Sequence, residues 1–244
     1  MKYFIDLHTH TIASGHAYST LMENAREAYK NGIKILGVSD HGPKMPGGPH
    51  IFYFGNIKAI PREIEGVKIL RGCEANILNI QGELDIPHDI QGNLDYIIAS
   101  LHDVCFCPAN IDENTKTLLN VMENSKVDIL GHIGNPAFPI HVEDVVKKAK
   151  DRNVIIEINN SSLSGTRIGS EINCEKIAKA CKDYGVRVIL GSDSHIAYNV
   201  GKFSKAEAML KAIDIPEELV INTSHNEIIN YLKNKGKLLD FKLD

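Results

Sequence analysis

Nine residues of metal-ligand type fall just beyond a series of short apolar runs, and that placement narrows the folds open to the chain. They are His8, His10, His16, His41, Glu74, His102, His132, Asp193 and His195, and they take up seven of the eleven histidines. The apolar runs read as β-strands at residues 2–6, 33–39, 67–73, 96–100, 127–131, 154–158 and 186–191. They are continuously apolar rather than alternating, which means burial on both faces and hence a parallel sheet covered by helices. A helix to residue 30, capped by Ser19 or Thr20, follows the first run. Further helical patterns cover 113–125, 142–152, 170–184, 202–212 and 226–235. Barrels of parallel strands gather functional residues at the carboxyl ends of successive strands. An open doubly wound sheet would spread six ligand-bearing strand ends along a line. The expected fold is therefore α/β: a distorted seven-stranded (β/α)7 TIM-like barrel, one unit short of eight, with a metal site at the C-terminal ends of its strands.

The 244 residues suit one domain, 1–244, with no linker or repeat to divide them. The segment 43–49 carries three prolines and two glycines and reads as a loop over the barrel mouth; 77–86 reads as a small inserted hairpin. A net charge of −4 argues against a broad nucleic-acid surface, though a local basic groove stays open. No apolar run approaches the roughly 20 residues that cross a bilayer, and residues 1–8 do not resemble a signal peptide. Five cysteines without a CxxC pair fit reduced thiols, so a cytoplasmic location is expected. Cys105 and Cys107 read as a small apolar pair in a loop rather than thiolate ligands.

The ligand reading rests on spacing. His8 and His10 are two apart at the end of an extended run, so both project to one side. Asp6 points the same way, as a ligand or as an acceptor that orients an imidazole. Asp193 and His195 share that spacing if the strand stays extended there. Asp40 alternates away from His41 and reads as orienting a ligand or packing the strand end. Glu74 directly follows a buried run, where a carboxylate needs a compensating partner, and a metal is the best one available. A carboxylate can also bridge two ions. Zinc takes about four ligands, so nine imply more than one ion. His50, His88, His141 and His225 stay outside the set; His141 and His225 suit capping or surface roles, and His50 is placed where the loop meets the mouth.

The motifs Asp6-Leu7-His8-Thr9-His10, Ser39-Asp40-His41, Gly72-Cys73-Glu74, Ser100-Leu101-His102, Gly131-His132 and Gly191-Ser192-Asp193-Ser194-His195 resemble those of the PHP (polymerase and histidinol phosphatase) metallohydrolases. The stand-alone phosphatases of the YcdX type look most similar, and the stretches 157–162 and 167–171 share in that likeness. The resemblance implies three ions, usually described as zinc, with Mn or Fe also acceptable to such ligands. It divides the ligands into His8, His10, Glu74 and Asp193; Glu74, His102 and His132; and His16, His41 and His195. The implied activity is hydrolysis of a phosphate monoester by a metal-activated hydroxide, with Glu74, Asp193 and His195 as catalytic candidates. Arg167 is the candidate phosphate clamp, against the plainer reading of a surface arginine in a polar loop. Three rivals stand beside this reading: a nuclease or phosphodiesterase on nucleic acid, a histidinol-phosphate phosphatase, and a non-catalytic metal-binding partner module. A small phosphorylated substrate is the expected partner, and a homo-oligomer is open.

Overall fold

Seven parallel strands follow the seven apolar runs, and one further two-residue strand pairs antiparallel beside them. The computed structural model describes residues 1–239 and 241. Its strands are β1 (Ile5–Asp6), β2 (Ile35–Val38), β3 (Glu63–Ile64), β4 (Val67–Asn76), β5 (Tyr96–Ser100), β6 (Ile129–Leu130), β7 (Ile155–Asn159) and β8 (Val188–Gly191). The order around the sheet is β1-β2-β4-β5-β6-β7-β8, every step parallel, with β3 attached antiparallel to β4. The helices are α1 (Leu21–Lys30), α2 (Ile51–Gly55), α3 (His88–Gln91), α4 (Ile111–Val121), α5 (Val142–Arg152), α6 (Ser170–Tyr184), α7 (Ser204–Ala212) and α8 (His225–Asn234). Among the described residues, no helix is long and apolar enough to cross a membrane.

Side chains alternate across each strand, and the two faces feed two cores. Ile5, Ile35, Leu70, Tyr96, Ile98, Ile129, Ile155 and Ile189 fill the barrel interior. Leu36, Val38, Ile69, Leu130, Ile156, Val188 and Leu190 pack outward among the covering helices. Tyr96 is the largest of these strand side chains, fully buried, and its hydroxyl donates to the Leu7 carbonyl at 2.6 Å. A Cβ on Gly72 would lie 2.3 Å from that ring, so glycine is what lets β4 pass it. The amino end is plugged by α8, whose Ile228, Ile229, Tyr231 and Leu232 join the interior cluster.

A seven-stranded barrel has a gap to close between β8 and β1, and the chain closes it twice. At the top, Thr9 and Ser194 form a parallel bridge, with the His10 amide donating to the Ser194 carbonyl at 2.9 Å. Lower down, Asn222 stands in for strand pairing. Its Oδ1 accepts from the Leu190 amide at 2.7 Å, its Nδ2 donates to the carbonyls of Ile5 and Leu190 at 2.8 Å each, and its own carbonyl accepts from Phe4 at 2.8 Å. The sheet is thus a distorted barrel whose eighth position is filled by one amide side chain.

Several local expectations shift. The third apolar run extends through Asn76, so Glu74 sits inside β4, not beyond it. Thr20 is the α1 cap, in a reciprocal pair with Glu23. The 77–86 insertion is bridged antiparallel between Ile77 and Leu84. After the 43–49 loop comes α2, and His50 is exposed and accepts from the Phe52 amide as its cap instead of lining the mouth.

Candidate metal centre

Glu74 stands at the middle of the ring of imidazoles because β4 carries it inward on the same face as Leu70 and Gly72. Its Oε1 lies 2.8 Å from His132 Nε2, 3.3 Å from His102 Nε2 and 3.4 Å from His8 Nε2. Its Oε2 lies 2.7 Å from His41 Nδ1 and 3.5 Å from His10 Nε2. Asp193 forms a second focus: Oδ1 is 3.3 Å from His10 Nε2, 3.5 Å from His8 Nε2 and 3.6 Å from His195 Nδ1. Four sets of three ligand atoms lie within 4.8 Å of one another: His8, His10 and Asp193; His8, Glu74 and His132; His41, Glu74 and His102; and His10, His41 and His195. His16 joins none of these sets. It is exposed, with its ring centroid 4.9 Å from those of both His41 and His195. Where the family resemblance groups His16 with His41 and His195, the tight group uses His10 instead.

The outward nitrogens of these rings are held by acceptors, which settles what the inward nitrogens carry. His8 Nδ1 lies 2.6 Å from Glu157 Oε1, and a carboxylate only accepts, so the proton is on Nδ1. His195 Nδ1 lies 3.0 Å from the Asp193 carbonyl, with the same consequence. In the neutral ring each Nε2 is then a lone pair. His8 Nε2, His10 Nε2, His41 Nδ1, His102 Nε2 and Glu74 Oε2 are all buried without a hydrogen-bond partner. Unpartnered buried polar atoms are costly and rare, and here four imidazole nitrogens converge around one carboxylate that contributes a fifth. Imidazole nitrogens and carboxylate oxygens are the donors that transition metals take. The residues fit metal ions.

Charge and backbone agree. Burial opposes ionisation of Glu74, but His8, His41 and His102 outweigh it and hold the carboxyl well below its usual range. The same contest, won by His8 and Arg167, lowers Asp193. Burial, with His41 beside it, pushes His10 well down; burial and then Arg167 push His132 down to about 4. His8 goes the other way, because Glu157, Glu74 and Asp193 overcome its burial. His132 and Asp193 occupy the left-handed region, φ 32° and 52°, unusual for non-glycine residues and typical of functional sites. The chain is therefore not extended at Asp193, and that residue and His195 converge through a turn, not through strand alternation.

Other candidates sort themselves. Asp6 is neither ligand nor imidazole partner. It accepts backbone amides from His8 at 3.4 Å, Ser192 at 3.2 Å and Gly201 at 2.8 Å, and burial raises its carboxyl to about 6. Arg167 is part-buried rather than loose on the surface: Nη1 donates to Asp193 Oδ2 at 3.0 Å and Ser162 Oγ at 3.1 Å. Cys105 and Cys107 join no ligand set, and burial raises the Cys105 thiol to about 11. His141 pairs with Asp112 at 2.8 Å on the surface. The sequence reading gave Glu157 no role, although a lone acid in a buried strand carried the same signal as Glu74. Its Oε2 also accepts the His132 amide at 2.8 Å, and a Cβ on Gly191 would fall 1.9 Å from Oε1, so glycine there makes room for the His8 contact. A mouth of about 560 Å³ opens over the cluster, lined by His16, His102, Asn135, Arg167, Asp193 and His195 among others.

The profile of the PHP domain matches residues 6–161. A probable phosphatase of Clostridium acetobutylicum is 62% identical over 244 residues, covering 100% of both chains. The chain belongs to the PHP family. In fold it is similar to histidinol phosphate phosphatase from Lactococcus lactis, solved with zinc, L-histidinol and phosphate, at TM-score 0.59 and 17% identity over 88% of this chain and 95% of that one. It is also similar to a chain in the structure of archaeal ribonuclease P with mature tRNA, at TM-score 0.64 and 15% identity, covering 98% and 94%.

Proposed function

We propose that this PHP protein is a cytoplasmic, metal-dependent phosphatase that hydrolyses a small phosphate monoester at a three-ion centre, with zinc as the resident metal. The observation that carries the reading is the set of buried, unpartnered imidazole and carboxylate atoms converging on Glu74 beneath an open mouth. Metals held there would neutralise phosphate oxygens and supply a water of lowered pKa. Relatives named as probable phosphatases support the class, and the zinc and phosphate of the Lactococcus structure support the metal and ligand chemistry. Five free thiols support a reducing compartment.

In this reading the chain's own residues bind and orient. Glu74 and Asp193 would hold the cations in place. Arg167, anchored through Nη1 on Asp193 and Ser162, takes a non-bridging phosphate oxygen with its remaining donors. His195, part-exposed at the mouth, would face the leaving oxygen of a phosphate bound there. Water adds to phosphorus, the bond to the ester oxygen breaks, and a proton given up by the water ends on that oxygen, which leaves as an alcohol while the phosphate keeps the other.

A direct test compares an aryl phosphate, histidinol phosphate, a dinucleotide and single-stranded DNA at one salt concentration. Monoester turnover that a chelator abolishes and zinc restores is expected. Arg167→Ala should raise KM for the monoester by about tenfold, the scale of one charge-assisted hydrogen bond. Preferential turnover of the diesters would favour the nuclease reading, and no hydrolysis by metal-replete protein would favour a binding module.

A further inference from the structure

Two buried carboxylates near the centre belong to none of the compact ligand sets, and each stands one residue removed from a ligand histidine. Asp40 accepts four donors: the Thr11 amide at 2.7 Å, Thr11 Oγ1 at 2.8 Å, Ser14 Oγ at 2.7 Å and the Tyr53 hydroxyl at 2.6 Å. Asp85 accepts the Asn76 amide at 2.8 Å, Asn76 Nδ2 at 2.6 Å and the Lys44 amide at 2.9 Å. Such concentration of donors on two side chains that touch no reacting group calls for a role.

Donor and acceptor accounting supplies it. A serine hydroxyl has one proton and two lone pairs. Ser14 gives its proton to Asp40 and accepts the His41 amide at 3.2 Å, so toward His10 Nδ1, 3.1 Å away, it has only a lone pair left. Asn76 is fixed in the same manner. Its Nδ2 donates to Asp85 and, at 3.3 Å, to the Gly42 carbonyl, so Oδ1 faces His102 Nδ1 at 2.8 Å as an acceptor. In both cases the histidine must carry its proton on Nδ1. In both, Nε2 is the buried, unpartnered atom.

We infer that Asp40 and Asp85 are positioning residues, which through Ser14 and Asn76 fix the tautomer and ring orientation of His10 and His102 so that Nε2 is presented to metal. Both relays end on one segment, 42–53. Gly42 and Lys44 bond to the Asn76–Asp85 pair, and Tyr53, in α2, bonds to Asp40. That segment also closes on the neighbouring turn, where a Cβ on Gly15 would fall 2.3 Å from the Gly47 carbonyl oxygen. This one segment is thereby wired to two histidines, His10 and His102, that follow different strands. The inference rests on the metal-centre reading but not on the identity of the substrate.

The test is zinc affinity, measured by competition with a chromophoric chelator, together with imidazole nitrogen chemical shifts of the metal-free protein. Wild-type His10 and His102 should show the Nδ1–H form. Ser14→Ala and Asp85→Asn should each weaken zinc binding 10- to 100-fold, the usual cost of losing an outer partner of a ligand. Ser14→Thr, which keeps the hydroxyl, should recover most of it, and Tyr53→Phe should cost less than Ser14→Ala. If Ser14→Ala does not fold, Asp85→Asn decides by the same readouts. Folded variants with wild-type affinity and unchanged nitrogen shifts would overturn the relays alone. Wild-type protein that takes up no zinc, manganese or iron would overturn the metal reading and the relays with it.

Discussion

At the amino end of the barrel the buried Asp128 carboxylate meets Lys235 Nζ at 3.0 Å and Lys237 Nζ at 2.5 Å, and accepts the Ile97 amide at 2.8 Å. At the carboxyl end, Glu74 and Asp193 are equally buried, yet Arg167 on Asp193 is the one lysine or arginine paired with them among the described residues. Both ends take charge out of water, which is expensive without compensation. At the amino end the chain brings its own cations, on the loop that follows α8. At the carboxyl end it brings lone pairs instead, and holds two of the residues in strained backbone conformations. Buried charge balanced by lysines is structure; buried charge surrounded by imidazole lone pairs is a site built for ions from outside.

The comparison can be broken at either end. Glu74→Ala carries the largest expected effect: loss of metal content and a fall in monoester turnover of about a thousandfold, since bound metals supply several kcal/mol of transition-state stabilisation. A fully loaded, fully active variant would remove Glu74 from the centre. Asp128→Ala should do the converse. It leaves Lys237 buried and unpaired, so the unfolding free energy should drop by about 3 kcal/mol while zinc per chain, read by mass spectrometry, stays at the wild-type value. Metal loss in a folded Asp128→Ala protein would mean that the two ends are coupled.

The smallest effect concerns pH in the metal-free protein. His132 is held at about 4, below the value near 6.5 expected for the unfolded chain. The unfolded state therefore takes up the proton first. The contribution of neutral His132 is fully present above about pH 6.5 and is lost as pH falls towards 4. Denaturant melts of metal-free protein should show a shallower loss over that window in His132→Gln than in wild type. Parallel slopes would contradict the assignment.

The barrel and the cluster of His, Glu and Asp side chains at its carboxyl end were legible in the sequence for the same reason. Buried parallel strands are continuous apolar runs, and His, Glu or Asp beside such a run is chemically conspicuous. What escaped depended on contacts across long sequence separations or on elements too short to show a period. Asn222 closes the barrel to Ile5 from the far end of the chain. The short α2, α3 and β3 span too few residues to display a helical or strand repeat. Ser14, Asn76 and Asp85 are ordinary polar residues until the fold brings Ser14 beside His10, Asn76 beside His102 and Asp85 beside Asn76. Asp193 and His195 were paired by an alternation that the left-handed turn at Asp193 replaces.

The most direct measurement is the transition-metal content of the purified protein, by mass spectrometry, before and after exhaustive chelation. Three zinc ions per chain are expected before, with monoester turnover lost after chelation and regained in proportion to zinc restored. A protein that carries no transition metal and hydrolyses the ester equally well after chelation would contradict the metal centre outright.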